Sequence, residues 1–336
     1  MSDILILGIE SSCDETSAAI IECSGGTRKI LANIVASQID IHRLYGGVVP
    51  EIAGRAHIEA VSSITYQALE RAGIEITDIG AIGVTASPGL IGALLVGVNF
   101  AKSLAFSYGI PLVAVDHVKG HTAAAYLEYP SLCAPFLSVV VSGGHTSIYE
   151  VKSPTQFCEI GATRDDAAGE AFDKIARVIG IPYPGGAGLD KLASSGDRCA
   201  IKFPSPAIAG DNLDFSFSGL KTAALNYINI ANQKGEQICR EDLAASYTDT
   251  VVKAIVKKTE AALKQTGARS LVLAGGVAAN SHLREGLARL CKKMKVEFCV
   301  PSLSLCSDNA AMIAMQAYFE YESGARADTS LNASAV

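Results

Sequence analysis

The sequence predicts an α/β fold with mixed sheets, built as two similar halves. Two observations carry this reading. Apolar runs of strand length alternate with longer helix-like runs along the 336 residues, which is the pattern of α/β proteins. The plan of the first half also recurs in the second. Near the start, ILILGIESSCDETSAAII reads as an apolar strand, a Gly/Ser/acid turn and a second strand. Next, IGAIGVTASPGLIGALLVGVNFAKSLA reads as strand, glycine turn and helix, and PLVAV is a further short apolar run. In the middle, FLSVVVSGGHTSIYEV repeats the first plan around a Ser-Gly-Gly turn, and ARSLVLAGGVAANSHLREGLARL repeats the second. Two such halves predict a cleft between them, with the boundary near Tyr129 to Pro135. The expected domains are 1–130 and 131–325. Residues 326–336 are mostly polar and small and are expected to fray as a disordered tail.

Hydrophobic residues make up 49% of the chain and the mean hydropathy is +0.29, so there is apolar surface for large cores. No uninterrupted apolar run reaches the ~20 residues of a membrane span. The start, MSDILILGIESSCDE, has no basic segment ahead of its apolar stretch and carries acids where a signal peptide is cleaved. The expectation is a cytoplasmic protein with no membrane partner. Nine cysteines are scattered without a CxxC pair, and Cys133, Cys158 and Cys299 sit in apolar context, as reduced core cysteines do. The formal net charge of −6 argues against a protein that grips nucleic acid alone. A nucleic-acid partner must meet a local patch or be shared with another subunit.

The densest chemistry lies in His117-Val-Lys-Gly-His121, which opens an alanine-rich, helix-like segment. Histidines at i and i+4 share one helix face, so two imidazoles can grip one metal ion. The zinc-protease pattern HExxH needs a glutamate after the first histidine, and that position is Val118. Taken alone, the pair reads first as two helix-surface histidines with no ligand. The first-half hairpin and the VVSGGHTS hairpin are both candidate phosphate cradles, because glycine lets the backbone approach closely and aim N–H groups at an anion. Asn280 is either a helix N-cap or a hydrogen-bond partner for a nucleoside. Asp165, Asp166, Glu170 and Asp173 cluster in DDAAGEAFDK, where acids complement a helix start. YPGGAGLD reads as a glycine-rich loop of Gly185, Gly186 and Gly188 with Asp190. Asp308 is either the cap of the helix opened by Ser307-Asp308 or a carboxylate that joins the two histidines on a metal.

Taken together, GIESSCDETSAA, GGVVPEIAGRAH, TASPGLIGALLVG, HVKGHTAAA, VVSGGHT, DDAAGEAFDK, YPGGAGLD, SFSGLKTA, AGGVAAN and CSDNAAMIA resemble, in this order, the TsaD family. Its members are tRNA N6-adenosine threonylcarbamoyltransferases, once described as O-sialoglycoprotein endopeptidases. The resemblance runs from Gly8 to Ile313. It implies the duplicated fold of actin, the sugar kinases and the heat-shock ATPases, with two domains around a nucleotide cleft. It implies one divalent metal ion per chain, iron(II) ahead of zinc, on His117, His121 and Asp308. Val140, Val141, Ser142, Gly143 and Gly144 match the family's substrate-binding hairpin. Asp173, Gly186, Asp190 and Asn280 match further contacts to an adenylate substrate. Asp14 and Glu15 match acids near the reaction centre, and His145 is a further candidate after the hairpin.

The implied reaction moves a threonylcarbamoyl group from threonylcarbamoyl-AMP to the N6 amine of the adenosine 3′ to the anticodon. The acceptors are tRNAs that read codons beginning with A. The implied partners are tRNA, a shorter paralogue of the same fold (TsaB-like) and an ATPase subunit (TsaE-like). Lys202, Lys221 and Arg55 are candidate tRNA contacts. Rival readings are a metallopeptidase, a kinase or ATPase of the same fold, a non-haem iron oxygenase, and a scaffolding subunit of a larger assembly. Val118 argues against the first. The HxxxH pair argues against the second, since such enzymes hold Mg²⁺ through oxygens. The nucleotide-type turns argue against the third.

Overall fold

The computed structural model describes residues 3–206, 208, 210 and 212–336. The chain divides into two compact units. Unit 1 comprises Met1–Ala134, Lys152–Phe157 and Pro301–Val336; unit 2 comprises Pro135–Val151 and Cys158–Val300.

Unit 1 is built on strands β1 (Ile4–Glu10), β2 (Glu15–Ser24), β3 (Thr27–Ser37), β4 (Ala81–Ser87) and β5 (Leu112–Asp116). They form one sheet in the order β3-β2-β1-β4-β5. β1 pairs antiparallel with β2 and parallel with β4. Residues 6–10 of β1 are all buried, so both faces of this central strand are covered, and the strand reads as a continuous apolar run. The helices here are α1 (Ile39–Arg43), α2 (Pro50–Ala72), α3 (Ile91–Tyr108), α4 (His117–Ala123) and α5 (Ala125–Glu128). Pro50 opens α2, where its missing N–H costs nothing. α3 is long and apolar enough to cross a membrane by length and composition. Here its Ala93, Leu94, Gly97, Val98 and Ala101 are buried within unit 1.

Unit 2 carries β6 (Phe136–Val141), β7 (Thr146–Ser153), β8 (Gln156–Ala162), β9 (Ser270–Ala274) and β10 (Glu297–Cys299), ordered β10-β9-β6-β7-β8. β6 pairs antiparallel with β7 and parallel with β9. Strand for strand, this is the plan of unit 1, so the sequence repeat is a duplication of topology. Its helices are α6 (Ala168–Val178), α7 (Gly185–Ala193), α8 (Ser218–Lys234), α9 (Arg240–Thr266) and α10 (Ser281–Met294).

The chain then returns to unit 1 through α11 (Leu303–Cys306) and α12 (Ala310–Glu322). The sequence alone groups residues 301–325 with the second half. Their place in unit 1 follows from α12, an almost wholly apolar helix whose residues 310–318 are all buried.

Three readings of the sequence change. The end of the chain does not fray. Ala327 N donates to Leu112 O at 2.8 Å, Ser334 N to Ala86 O at 2.8 Å, and Lys102 Nζ to Leu331 O at 2.9 Å. Leu331 and Ala333 pack against the core of unit 1. Small, polar composition gave no hint of these backbone bonds. Cys133 and Cys158 are exposed, while Cys299 is buried. The first two lie at the surface despite apolar sequence neighbours, Cys158 at an exposed position of β8. YPGGAGLD is not a loop beyond Pro184: Gly185, Gly186, Gly188 and Asp190 lie inside α7.

Candidate metal centre and nucleotide-binding turns

β5 runs directly into α4, and Asp116 caps the helix by accepting from Lys119 N at 2.9 Å. His117 and His121 therefore sit one turn apart on a buried helix face, 5% and 1% exposed. The third group comes from the other end of the chain. Asn309 caps α12 by accepting from Met312 N at 3.1 Å, so Asp308 is not the cap. Its carboxylate turns to the histidines, with Oδ1 3.5 Å from His117 Nε2 and 3.2 Å from His121 Nε2.

Close backbone packing delivers Asp308 to this place. A Cβ on Gly8 of β1 would meet Ala310 O and lie 2.7 Å from Ala314 N. A Cβ on Gly83 of β4 would meet the Ala317 Cβ, and one on Gly120 of α4 would lie 2.8 Å from Ile313 Cδ1. Glycine at these points lets α12 lie flat against the sheet and α4. Ser17 Oγ of β2 then accepts from Ala310 N at 2.9 Å and fixes the helix start.

The candidate ligand atoms of His117, His121 and Asp308 all lie within 4.8 Å of one another. Both ring nitrogens of His121 are buried and make no hydrogen bond. A buried imidazole without partners is costly, and a metal ion between the three groups satisfies it. Electrostatics point the same way. Burial pulls the His117 ring towards neutrality, but Asp308 and Glu10 outweigh it and hold its proton affinity well above the usual histidine range. Burial pushes the Asp308 carboxyl up, yet His117 and His121 hold it well below the usual carboxylate range. The pocket is built for positive charge. Two imidazoles and one carboxylate are a fitting donor set for a divalent transition metal, with positions left for substrate.

Glu10 completes the arrangement and was not singled out in the sequence. It is fully buried at the end of β1. Its Oε2 accepts from His117 Nδ1 at 3.0 Å and from Thr85 Oγ1 at 2.6 Å, and its Oε1 accepts from Ser12 N at 2.5 Å. The available signal was an acid closing an otherwise apolar strand, ILILGIE.

Asp14 is buried in the β1–β2 turn of the same unit, and half-buried Glu15 opens β2. His57 Nε2 donates to Cys13 O at 3.0 Å and Gln38 N to Asp14 O at 2.9 Å, so the turn is held from below. Burial, then the charges of Asp308 and Asp14, push the Glu15 carboxyl up to about 9. Glu15 thus keeps its proton near neutral pH while no cation offsets Asp308.

In unit 2, Val140 and Val141 end β6, Ser142 follows in the turn, and all three are buried. Ser142 N donates to His145 O at 2.7 Å, and His145 N to Ser142 Oγ at 3.1 Å, closing the turn. A Cβ on Gly169 of α6 would lie 2.8 Å from Gly143 Cα, and one on Gly275 (φ +90°) would lie 2.8 Å from Val141 C. The hairpin, the start of α6 and the AGG turn after β9 are thereby drawn together. Gly143 and Gly144 face open space. Asp173 and Gly186 meet directly: Asp173 Oδ1 accepts from Gly185 N at 2.8 Å and Gly186 N at 3.0 Å, capping α7. Asp190 and Asn280 both serve the start of α10. Asp190 accepts from Ser281 N at 3.0 Å and pairs with His282 Nδ1 at 2.7 Å, while Asn280 Oδ1 accepts from Leu283 N at 2.9 Å.

The candidate tRNA cations differ in their surroundings. Lys202 is exposed. Arg55 pairs with Glu51 at 2.7 Å on the surface of α2. Lys221 is mostly buried against Asp166.

Fold and site together define a class, a duplicated α/β protein of the hexokinase type with a His–His–Asp group that could hold a metal ion. Solved structures agree on the fold. HypF from T. kodakarensis matches 94% of this chain and 48% of its own, with TM-score 0.64 and 13% identity. Full-length HypF in a phosphate- and nucleotide-bound form matches 96% of this chain and 46% of its own, with TM-score 0.61 and 15% identity. ROK hexokinase from Thermus thermophilus matches 94% of this chain and 99% of its own, with TM-score 0.50 and 15% identity.

The family model of TsaD, tRNA N6-adenosine threonylcarbamoyltransferase, matches residues 29–315. A protein of that name from Clostridium botulinum (strain 657 / Type Ba4) is 53% identical over 98% of this chain and 96% of its own. One from Clostridium beijerinckii is 50% identical over 99% and 97%. The chain belongs to the TsaD family, whose members are transferases that modify tRNA.

Proposed function

We propose that this chain transfers a threonylcarbamoyl group from threonylcarbamoyl-AMP to the N6 amine of the adenosine 3′ to the anticodon. The acceptors are tRNAs that read codons beginning with A. The observation that carries the chemistry is the His117–His121–Asp308 cluster, with a buried His121 that has no hydrogen-bond partner, in a chain of this family. Val118, where a peptidase of the HExxH type has its glutamate, is buried and apolar, which removes the base that peptide hydrolysis needs.

The bond balance is that of acyl transfer. The adenosine nitrogen forms a bond to the carbamoyl carbon, the carbon–oxygen bond to phosphate breaks, and AMP leaves. His117, His121 and Asp308 hold one metal ion, iron(II) ahead of zinc, which supplies Lewis acidity and a fixed charge for the anionic donor. The backbone of Gly143 and Gly144, where a Cβ would meet nothing within 4 Å, leaves room for donor oxygens to approach, and this turn is assigned to hold them. Asp190 and Asn280 fix the start of α10, and Asn280 contacts the nucleoside. Asp14, beside Glu15, takes the proton from the attacking amine. An adenine amine is a poor nucleophile, so holding it at the carbonyl contributes much of the rate.

The net charge of −6 fits a tRNA surface shared with partners: a shorter paralogue of the same fold and an ATPase subunit. The reaction is assigned to the cytoplasm, where tRNA is modified. The test uses threonylcarbamoyl-AMP labelled in the threonine, with the chain and both partners. Label should enter tRNA that has adenosine 3′ to the anticodon. A transcript with guanosine there should stay unlabelled, and equal labelling of both would refute the assigned acceptor.

A further inference from the structure

We propose that Glu10 is a positioning residue for the metal centre: it fixes the tautomer and ring plane of His117 so that Nε2 faces the ion. The proposal rests on His117 being a metal ligand. Glu10 Oε2 lies 3.0 Å from His117 Nδ1. A carboxylate only accepts, so the Nδ1 hydrogen points to Glu10, and with an ion bound between the ring and Asp308 the Nε2 lone pair is the one left to face it. Glu10 is itself immobile. Thr85 Oγ1 of β4 donates to the same oxygen at 2.6 Å, and Ser12 N donates to the other at 2.5 Å. Three donors on a fully buried side chain leave it one rotamer. Ser12 Oγ adds a further contact to His117 Nδ1 at 3.2 Å.

The burial of Glu10 needs an explanation beyond packing. An ionised carboxylate with no exposure is expensive unless positive charge lies close. Of its three donors only the His117 ring can carry positive charge. A divalent ion on His117 supplies that charge through the ring. Glu10 and Asp308 together carry two negative charges, which balance one dication. His121 has no equivalent support, since its Nδ1 is buried without a partner. The two histidines are thus unequal, and Glu10 distinguishes the firmly oriented one.

Metal-depleted protein is titrated with Zn²⁺ against a competing chelator, and with Co²⁺ while its visible absorption is followed. Parent, E10Q, E10A and H117A are compared. E10Q and E10A should bind Zn²⁺ about 10–100-fold more weakly, the usual loss when a partner behind a ligand is removed. The Co²⁺ bands should shift as the ring loses its orientation. E10Q keeps size and shape but leaves at least one of the three donors facing an amide N–H, so its melting temperature is read with and without Zn²⁺, and the metal-induced gain should shrink relative to the parent's. If E10Q binds Zn²⁺ like the parent while H117A does not, Glu10 has no positioning role. If H117A also binds like the parent, the metal centre itself is misassigned.

Discussion

Gly8 of β1 lies directly beneath Ala310 and Ala314 of α12, so close that a Cβ at Gly8 would meet the Ala310 carbonyl oxygen. The contact joins the first strand to the last helix and sets the height at which Asp308 approaches α4. Gly8→Ala must push backbone against backbone. We expect a loss of about 1–3 kcal/mol, typical of overpacking, with weaker metal binding because Asp308 moves off the histidines. Thermal melts and metal analysis check both. An unchanged melting temperature would show that α12 shifts freely.

Gly144 is the opposite case. Nothing lies within 4 Å of a Cβ built there, and its φ is not in the left-handed region. Gly144→Val should therefore change stability by no more than about 0.5 kcal/mol, as open surface positions do. Affinity for a non-hydrolysable adenylate analogue should fall at least tenfold, because the branched side chain occupies the approach to the turn. Calorimetry on the folded variant reads this directly, and undiminished affinity would make the turn merely structural.

Asn280 caps α10 through Leu283 N at 2.9 Å, and a nucleoside contact is assigned to it as well. Asn280→Asp separates the two, since aspartate caps as well as asparagine. The melting temperature should hold while adenylate affinity drops, because the amide N–H donors are gone and a negative charge faces a phosphate-bearing ligand. Asn280→Ala should lose both, including about 0.5–2 kcal/mol of stability from the missing cap. Full adenylate affinity in Asn280→Asp would leave only the cap.

Glu15 gives a pH signature. Burial and the Asp308 and Asp14 charges hold its folded carboxyl at about 9, against an ordinary value of 4.5. Between those values the folded chain keeps a proton that the unfolded chain has lost. Stability of chelator-treated protein should therefore fall as pH rises through this window. Glu15→Gln should flatten that slope relative to the parent and be more stable at the alkaline end. Denaturant midpoints across the range measure it; parallel curves for both proteins would contradict the assignment.

Much of the architecture was legible because it is written in local patterns. The repeated hairpins and strand–turn–helix segments became β1–β2, β6–β7, β4–α3 and β9–α10. The i, i+4 histidines were legible for the same reason. What escaped depends on distant packing. From the residues alone Asp308 read either as a helix cap or as a carboxylate joining the histidines; Asn309 takes the cap, and the close approach at Gly8 and Gly83 brings the carboxylate to the histidines. Glu10 was hidden inside an apolar strand, since its partners Thr85 and His117 lie 75 and 107 residues away. The tail looked mobile because its anchors are backbone hydrogen bonds, which composition does not encode. Lys221 looked like a surface cation, yet its charge is spent on Asp166.

The most direct test of the account is mass spectrometry of tRNA nucleosides after incubation with threonylcarbamoyl-AMP and the partner subunits. The parent chain should convert adenosine to threonylcarbamoyladenosine, and His121→Ala, folded but depleted of metal, should convert at least a hundredfold less. Full conversion by metal-free His121→Ala would contradict the role given to the centre, and no conversion by the metal-loaded parent would contradict the activity itself.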